Sequence, residues 1–343
     1  MTSNNRKPER QFWQYVRSYL TVYLPRIRCL SPKTSESYRQ SIAAYCTFLK
    51  ETCHIEFSTI SFSHFDRSTV VEFLQWLRRR NCRSTTCNLR LSAIKSFLKY
   101  CADEDLRLYS VYLEIKSVPM MKVPKSTIQY LSEPAMKAVL AQASGKTTKA
   151  ARNGMLLILL YDTGCRVQEL VDLKVGDLHL KVGDPFVIVT GKGNKPRRIP
   201  LMDKTVSHLR KYIDRFHPNG VSVNSAPLFY SIHRGNPRSL STDAVSVILK
   251  TCGERAAKTC PDVPDRVNPH LIRHTRAMHL YRAGMPLSYV AEFLGHASIT
   301  TTEIYATAST DMLRDALETA DPDMAGEVPS WKNEETLRRL CGL

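Results

Sequence analysis

The ten cysteines, at 29, 46, 53, 82, 87, 101, 165, 252, 260 and 341, form no C-x-x-C pair, and no Cys/His set carries zinc-finger spacing. That excludes a structural zinc module, and in a chain of 343 residues scattered thiols read as reduced and mostly buried, as in a cytosolic protein. No apolar run approaches the ~20 residues that a membrane span needs, and residues 1–10 are polar, with no apolar h-region. The G-x-x-x-x-G-K-[ST] spacing of a P-loop and the H-E-x-x-H pattern of a zinc hydrolase are both missing. No repeat of 20–50 residues and no low-complexity segment stands out. Acidic residues are scarce, 32 against 49 Lys and Arg.

A chain this long suggests two domains, and a hydrophobic fraction of 43% is enough to build their cores. The net charge of +17 argues for a polyanionic partner, nucleic acid before anionic membrane. The excess is uneven. Residues 1–125 hold 21 Lys and Arg against 10 Asp and Glu, whereas residues 126–343 hold 28 against 22. The front of the chain is therefore the expected electrostatic grip, and the acidic stretch from Asp311 onward is expected to touch protein.

Residues 12–23 carry apolar and aromatic side chains at helical spacing, and Ser31-Pro32 opens a second helix through Leu49. Asp66 starts a third, and Ser84 or Thr85 a fourth, to about Ala102. Residues 1–10 are expected to be flexible, 11–116 an all-helical module of about four helices, and 117–127 a basic, proline-interrupted linker. Residues 128–320 form the second domain. Within it 186–190, a turn at 191–194 and 197–201 read as a β-hairpin, and helices are expected at 151–160, 242–258, 268–283, 287–294, 300–306 and 312–320. Residues 321–343 are a tail. The fold class is mainly α with a small β-sheet in the C-terminal domain.

Lys33, Thr34, Tyr38 and Arg39, and again Arg83, Ser84, Thr85, Asn88 and Arg90, cluster at the starts of two helices, where free N–H groups, the helix dipole and short donors suit a phosphate. The hydroxyls could equally serve only as caps, and the basic run at 78–83 could be a solvated helix end. Lys95, Lys122 and Lys125 extend the candidate DNA-binding set into the linker.

Four stretches further on carry reactive chemistry: T-G-C-R-V-Q-E-L at 163–170, G-K-G-N-K at 191–195, H-L-I-R-H-T at 270–275, and L-G-H-A-S-I-T-T-T-E-I-Y at 294–305. Cleaving a phosphodiester needs neutralised non-bridging oxygens, a nucleophile, and an acid for the leaving oxygen. Arg166 and Arg273 suit the first role, since guanidinium binds phosphate bidentately and stays charged. Lys192 can give up a proton, and His270 and His296 can donate hydrogen bonds or shuttle protons. Tyr305 is the nucleophile, its phenol needing nearby cations to ionise. Glu169 is expected on one helix face with Arg166, fixing an arginine or a histidine. Each has a duller alternative: a surface ion pair at 166/169, an ordinary turn at 191–194, or a metal held by His270, His274 and His279. The last is disfavoured because no acid lies between them, so no metal and no cofactor is expected.

Together, in this order, these motifs resemble the tyrosine recombinase/integrase family of Xer recombinases and phage and transposon integrases, over about residues 11–310. The resemblance implies a two-domain, C-shaped DNA clamp in which 11–116 is the core-binding domain. It implies that Arg166, Lys192, His270, Arg273 and His296 activate the scissile phosphate, with Tyr305 forming a 3′-phosphotyrosyl link. It also implies a homotetramer on double-stranded DNA with inverted binding sites, a C-terminal segment (311–320 or 330–340) exchanged between protomers, and a cytoplasmic, nucleoid-associated protein without membrane contact. An integrase or transposase of a mobile element is favoured over a dimer resolvase. A type IB topoisomerase-like activity and an inactive DNA-binding protein are the alternatives. Cys165 stands where an aliphatic residue is more usual, the tail past 320 is longer than in the simplest Xer proteins, and no arm-binding domain is expected before residue 11.

Overall fold

The structure, a computed structural model, describes residues 8–124, 128–145, 147–191, 195–218, 224–296, 302, 305 and 334–341. Lys125, Lys192, positions 193–194 of the hairpin turn, most of the helix expected at 300–306, the helix expected at 312–320, and the tail expected at 321–343 apart from 334–341 lie outside the described residues. The chain forms two compact units, Met1–Lys125 and Ser126–Leu343.

The first unit is helical. α1 (Pro8–Ser18) begins inside the stretch expected to be flexible and continues as a π-helical stretch, Tyr19–Ile27. α2 (Pro32–Cys53) is capped by Ser31, whose hydroxyl accepts from the Thr34 N–H at 3.2 Å. α3 (Arg67–Arg79) is capped by Asp66, and α4 (Ser84–Glu104) follows. A fifth helix, α5 (Tyr109–Lys116), was not expected. Aromatic rings fill the core: Phe12, Tyr19, Phe48 and Phe97 are fully buried, and Tyr45 meets Phe73 edge to face at 5.0 Å. Each such ring contributes about 1.5–3 kcal/mol by burial alone.

In the second unit α6 (Glu133–Ala141) is capped by Ser132, and α7 (Thr148–Thr163) by Thr147. α7 carries Leu156, Leu157, Leu159 and Leu160 into the core. It stops at Gly164, whose φ of +54° is one that only glycine adopts without strain. The chain then turns directly into α8 (Val167–Asp172). Strands β1 (Leu178–His179), β2 (Phe186–Thr190) and β3 (Pro196–Pro200) form an antiparallel sheet in that order, with Val187 opposite Ile199 and Val189 opposite Arg197. α9 (Asp203–Phe216) follows. A hairpin, β4 (Tyr230–His233) and β5 (Asn236–Ser239), turns on Arg234 and Gly235, both at positive φ. α10 (Thr242–Ala256), α11 (Pro269–Arg282, capped by Asn268) and α12 (Leu287–Leu294) complete the body, and a helix at Glu334–Cys341 lies near the C-terminus. Among the described residues no helix is long and apolar enough to cross a membrane.

Candidate active site

The site is built where α7 and α12 end. Both stop at a glycine at positive φ, Gly164 and Gly295, and both leave carbonyls that no intrahelical N–H can satisfy. Arginines take them. At the end of α12 three consecutive carbonyls each meet one guanidinium: Phe293 O accepts from Arg197 Nε (3.2 Å), Leu294 O from Arg273 Nη2 (2.7 Å) and Gly295 O from Arg166 Nη2 (3.3 Å). Arg273 Nη1 donates to Gly164 O at 2.8 Å. The negative end of the helix dipole thus faces three positive side chains.

A single carboxylate completes this frame. Arg166 is the N-cap residue of α8, so it precedes the helix and does not share a face with Glu169 as the spacing alone suggested. Glu169, three residues on, turns back. Its Oε2 accepts from the Arg166 backbone N–H (2.9 Å) and its Oε1 from Arg166 Nη1 (2.8 Å). Arg197 Nη2 donates to the same Oε2 at 2.8 Å. Burial by itself would raise the Glu169 pKa, but the hydrogen bonds from Arg197 and Arg166 outweigh it and hold the carboxyl below its ordinary value. Arg273 is only 5% exposed. Burial, helped by the charge of Arg166, lowers its pKa to about 10, so it remains a cation at neutral pH.

Tyr305 is 0% exposed, packed with Ala277, Met278, Val290 and Leu294. Its hydroxyl lies 2.7 Å from His274 Nδ1. The expectation that nearby cations would favour its phenolate is met only in part: burial raises its pKa, and Arg273 offsets that rise without cancelling it. His296, just past Gly295, meets the Thr302 hydroxyl through Nδ1 at 2.8 Å. Burial, then the charges of Arg273 and Arg166, push its pKa down to about 4, so it is neutral at physiological pH. His270 stands exposed in the first turn of α11, and its charge reaches His274. Arg166, Glu169, Arg273, His296 and Tyr305 therefore gather in one cluster, with His270 at its edge.

Two members of the cluster were not anticipated. Arg197 was read only as the first residue of the hairpin's second strand. His274 was noted only as a conceivable metal ligand with His270 and His279. His279 is engaged at both ring nitrogens, Nδ1 with the Tyr161 hydroxyl (2.7 Å) and Nε2 with Leu131 O (2.9 Å).

In the first unit, Lys33, Arg39, Arg83, Thr85 and Lys122 are exposed, and Thr34, Tyr38, Ser84 and Arg90 are partly buried. Thr34 hydrogen-bonds its cap residue Ser31 through Oγ1 (2.8 Å), so both hydroxyls take part in the cap of α2. At α4 the N-cap is Arg83, with no side-chain cap. Asn88 and Lys95, both candidates for DNA contact, have partners within the protein. Asn88 clasps the Met121 backbone, donating to its O (2.9 Å) and accepting from its N–H (2.8 Å). Lys95 Nζ donates to Lys116 O and Val118 O at 3.1 and 2.5 Å, and burial lowers its pKa. Residues 117–121 are thereby fastened to α4. In the basic run, Arg78 binds Cys82 O, and Arg80 pairs with Glu51 over the Trp76 ring.

Residues 114–312 match the phage integrase family and residues 17–105 the phage integrase N-terminal SAM-like domain. Tyrosine recombinase XerD of Oceanobacillus iheyensis is 31% identical over 86% of this chain and 94% of its own length. A Sinorhizobium fredii chain named integrase/recombinase y4rC is 30% identical over 93% of this chain and 94% of its own. Among solved structures, XerH recombinase bound to its palindromic difH substrate in a post-cleavage complex superposes with a TM-score of 0.65 at 19% identity, covering 94% of this chain and 92% of that one. The chain belongs to the tyrosine recombinase, or phage integrase, family, whose members cleave and rejoin DNA strands.

Proposed function

We propose that this protein is a site-specific recombinase in which Tyr305 attacks the scissile phosphate, giving a 3′-phosphotyrosyl link and a free 5′-hydroxyl. The observation that carries the reading is the convergence of Arg166, Arg273, His296 and Tyr305 on the ends of α7 and α12. Arg166 and Arg273, held by backbone carbonyls and Glu169, offer their remaining N–H groups to the non-bridging oxygens. Neutral His296, oriented by Thr302, donates from Nε2, and His270 is the second proposed histidine donor. Lys192 is the proposed acid for the leaving 5′-oxygen. One ester is exchanged for another, so the bond energy is conserved and the reaction draws on neither ATP nor a metal.

Lys33, Arg39, Arg83, Thr85, Arg90 and Lys122 are the proposed phosphate contacts of the first unit, with Thr34, Tyr38, Ser84 and Lys125 as further candidates, while Asn88 and Lys95 shape the segment that follows α5. Four protomers would act on two DNA segments with inverted binding sites, each lending a C-terminal segment to a neighbour. We favour the DNA of a mobile element as substrate, because the likeness to the S. fredii integrase/recombinase spans nearly the whole of both chains. Dimer resolution is the second reading, supported by the XerD likeness.

The test is trapping. A pool of nicked duplexes with randomised arms is incubated with the protein in EDTA, and covalent adducts are read on a denaturing gel and sequenced. Adducts that vanish with Tyr305→Phe while DNA binding persists are expected. Binding without adducts from any duplex would leave only a DNA-binding protein. Recovered sites at the ends of a mobile element, or at one chromosomal locus whose deletion leaves multimers, separate the two substrates.

A further inference from the structure

We propose that His274 is the proton acceptor for Tyr305, taking the phenolic proton at Nδ1 as the tyrosyl oxygen bonds to phosphorus. This rests on the reading of Tyr305 as the nucleophile. The phenol must lose a proton in a place closed to water, since Tyr305 is 0% exposed. Among the described residues, His274 Nδ1 is the atom hydrogen-bonded to the Tyr305 hydroxyl, at 2.7 Å, which is transfer distance. α11 sets this geometry. His274 follows Arg273 directly on the helix, so the group that grips the phosphate and the group that takes the proton are fixed by one rigid element.

In the forward step the bond from Oη to phosphorus forms and the bond from phosphorus to O5′ breaks. The Oη proton passes to His274 Nδ1, and O5′ departs with a proton from the acid of the site. On rejoining, the incoming 5′-hydroxyl attacks phosphorus, and Tyr305 leaves with the proton returned by His274.

The surroundings make this transfer conditional on DNA. His274 is faced by His270 and Arg273 from its own helix, by Tyr305, and by His296 from the segment after α12, for whose protonation His274 is itself an opposing charge. Burial, then His270 and Arg273, keep its imidazole neutral, so it is free to accept but resists becoming a cation. A phosphodiester docked on Arg166 and Arg273 brings the negative charge that relieves this resistance. Without DNA the phenol stays protonated.

The experiment measures adduct formation by the full-length protein on a nicked duplex recovered from the randomised pool, with either oxygen or sulfur at the 5′-bridging position, from pH about 5 to about 9. His274→Asn retains an acceptor near the Nδ1 position but cannot take the proton, and His274→Ala removes both. Both variants are expected to bind the duplex like wild type and to cleave it about 100-fold more slowly or worse. They should lose the decline in rate toward low pH. The sulfur leaving group, which departs without a proton, should rescue Lys192→Ala and should rescue neither His274 variant. Unchanged or faster cleavage by both variants would overturn the proposal, making the contact a latch on Tyr305, and rescue by sulfur would reassign His274 to the leaving group. A wild-type protein that forms no adduct would remove the nucleophile reading and this one with it, an outcome distinct from an active wild type with indifferent variants.

Discussion

Glu169 and Arg197 meet through two hydrogen bonds, Nη2 to Oε2 at 2.8 Å and Nη1 to Oε1 at 3.3 Å, while the same carboxylate holds Arg166. The side chain of Glu169 is 5% exposed and that of Arg197 15%. A carboxylate so placed leaves two cations unbalanced when it is removed. Glu169→Gln should therefore destabilise the fold by about 3 kcal/mol, the usual cost of breaking a buried pair from one side, read as a lower denaturant midpoint with an unchanged slope. Replacing both partners, Glu169→Leu with Arg197→Met, should recover part of that stability, because an apolar pair leaves no buried charge. Adduct formation should not recover, because Arg166 would still lack its anchor.

Gly295 is needed for two separable reasons. Its φ of +65° is one that L side chains rarely adopt, and a Cβ there would lie 2.9 Å from Arg197 Nη1. Gly284 shares the first constraint, with φ +90°, but a Cβ there meets nothing within 4 Å. Gly284→Ala should cost about 1 kcal/mol from backbone strain alone. Gly295→Ala should cost more and should also slow strand cleavage, because Arg197 must shift. Equal effects of the two substitutions on both stability and cleavage would show that Arg197 adjusts freely.

The contrast between these residues explains what the sequence could disclose. Arg166, His296 and Tyr305 were legible because their chemistry and spacing are local: each sits in a short motif of residue types suited to binding a phosphate or attacking it. Arg197 was not, although a signal existed. In β3 residues 197 and 199 share a face, and Ile199 is fully buried, so strand alternation alone turns Arg197 inward and Arg198 outward over the Phe186 ring. His274 was visible only as a periodic partner of two other histidines, since its contact with Tyr305 spans 31 positions in the chain. The helices were read well where caps marked them, at Ser31, Asp66 and Asn268. α5 was missed because it is short and lacks a side-chain cap. The β4–β5 hairpin was missed because its turn uses Arg234 in place of the usual asparagine or aspartate.

Asn88 offers a test of the segment after α5. Its side chain satisfies both backbone groups of Met121, so Asn88→Ala leaves a half-buried N–H and C=O without their partners, at a cost of about 1–3 kcal/mol. Trypsin should then cut at Lys122 faster than in wild type. Arg83→Ala, at an exposed N-cap, should leave that cleavage rate alone while weakening DNA binding and lowering its salt slope by about 1. If Asn88→Ala instead weakened DNA binding at an unchanged salt slope without altering proteolysis, Asn88 would be an uncharged phosphate contact after all.

Acid should unfold the second unit in two stages, and the sign follows from which state binds protons. His296 titrates near 4 in the folded protein against 6.5 for the free side chain, and His274 and His279 are also lowered, each chiefly by burial. Between pH 6.5 and about 4 the unfolded chain therefore takes up protons that the folded one refuses. The stability these histidines contribute is fully present above 6.5 and drains away as pH falls through that window. Glu169, whose pKa is depressed below 4.5, adds a second loss only at lower pH, as its carboxylate is finally protonated and Arg166 and Arg197 lose their partner. Thermal midpoints measured at steps across this range should fall already above pH 4.5 in wild type, and less steeply in His296→Asn. In Glu169→Gln the upper stage should persist and the lower one disappear. A wild-type midpoint that stays level from pH 6.5 down to 4.5 would mean that the buried histidines gain charge in the folded state without penalty, and that the arginines around His296 are screened from it.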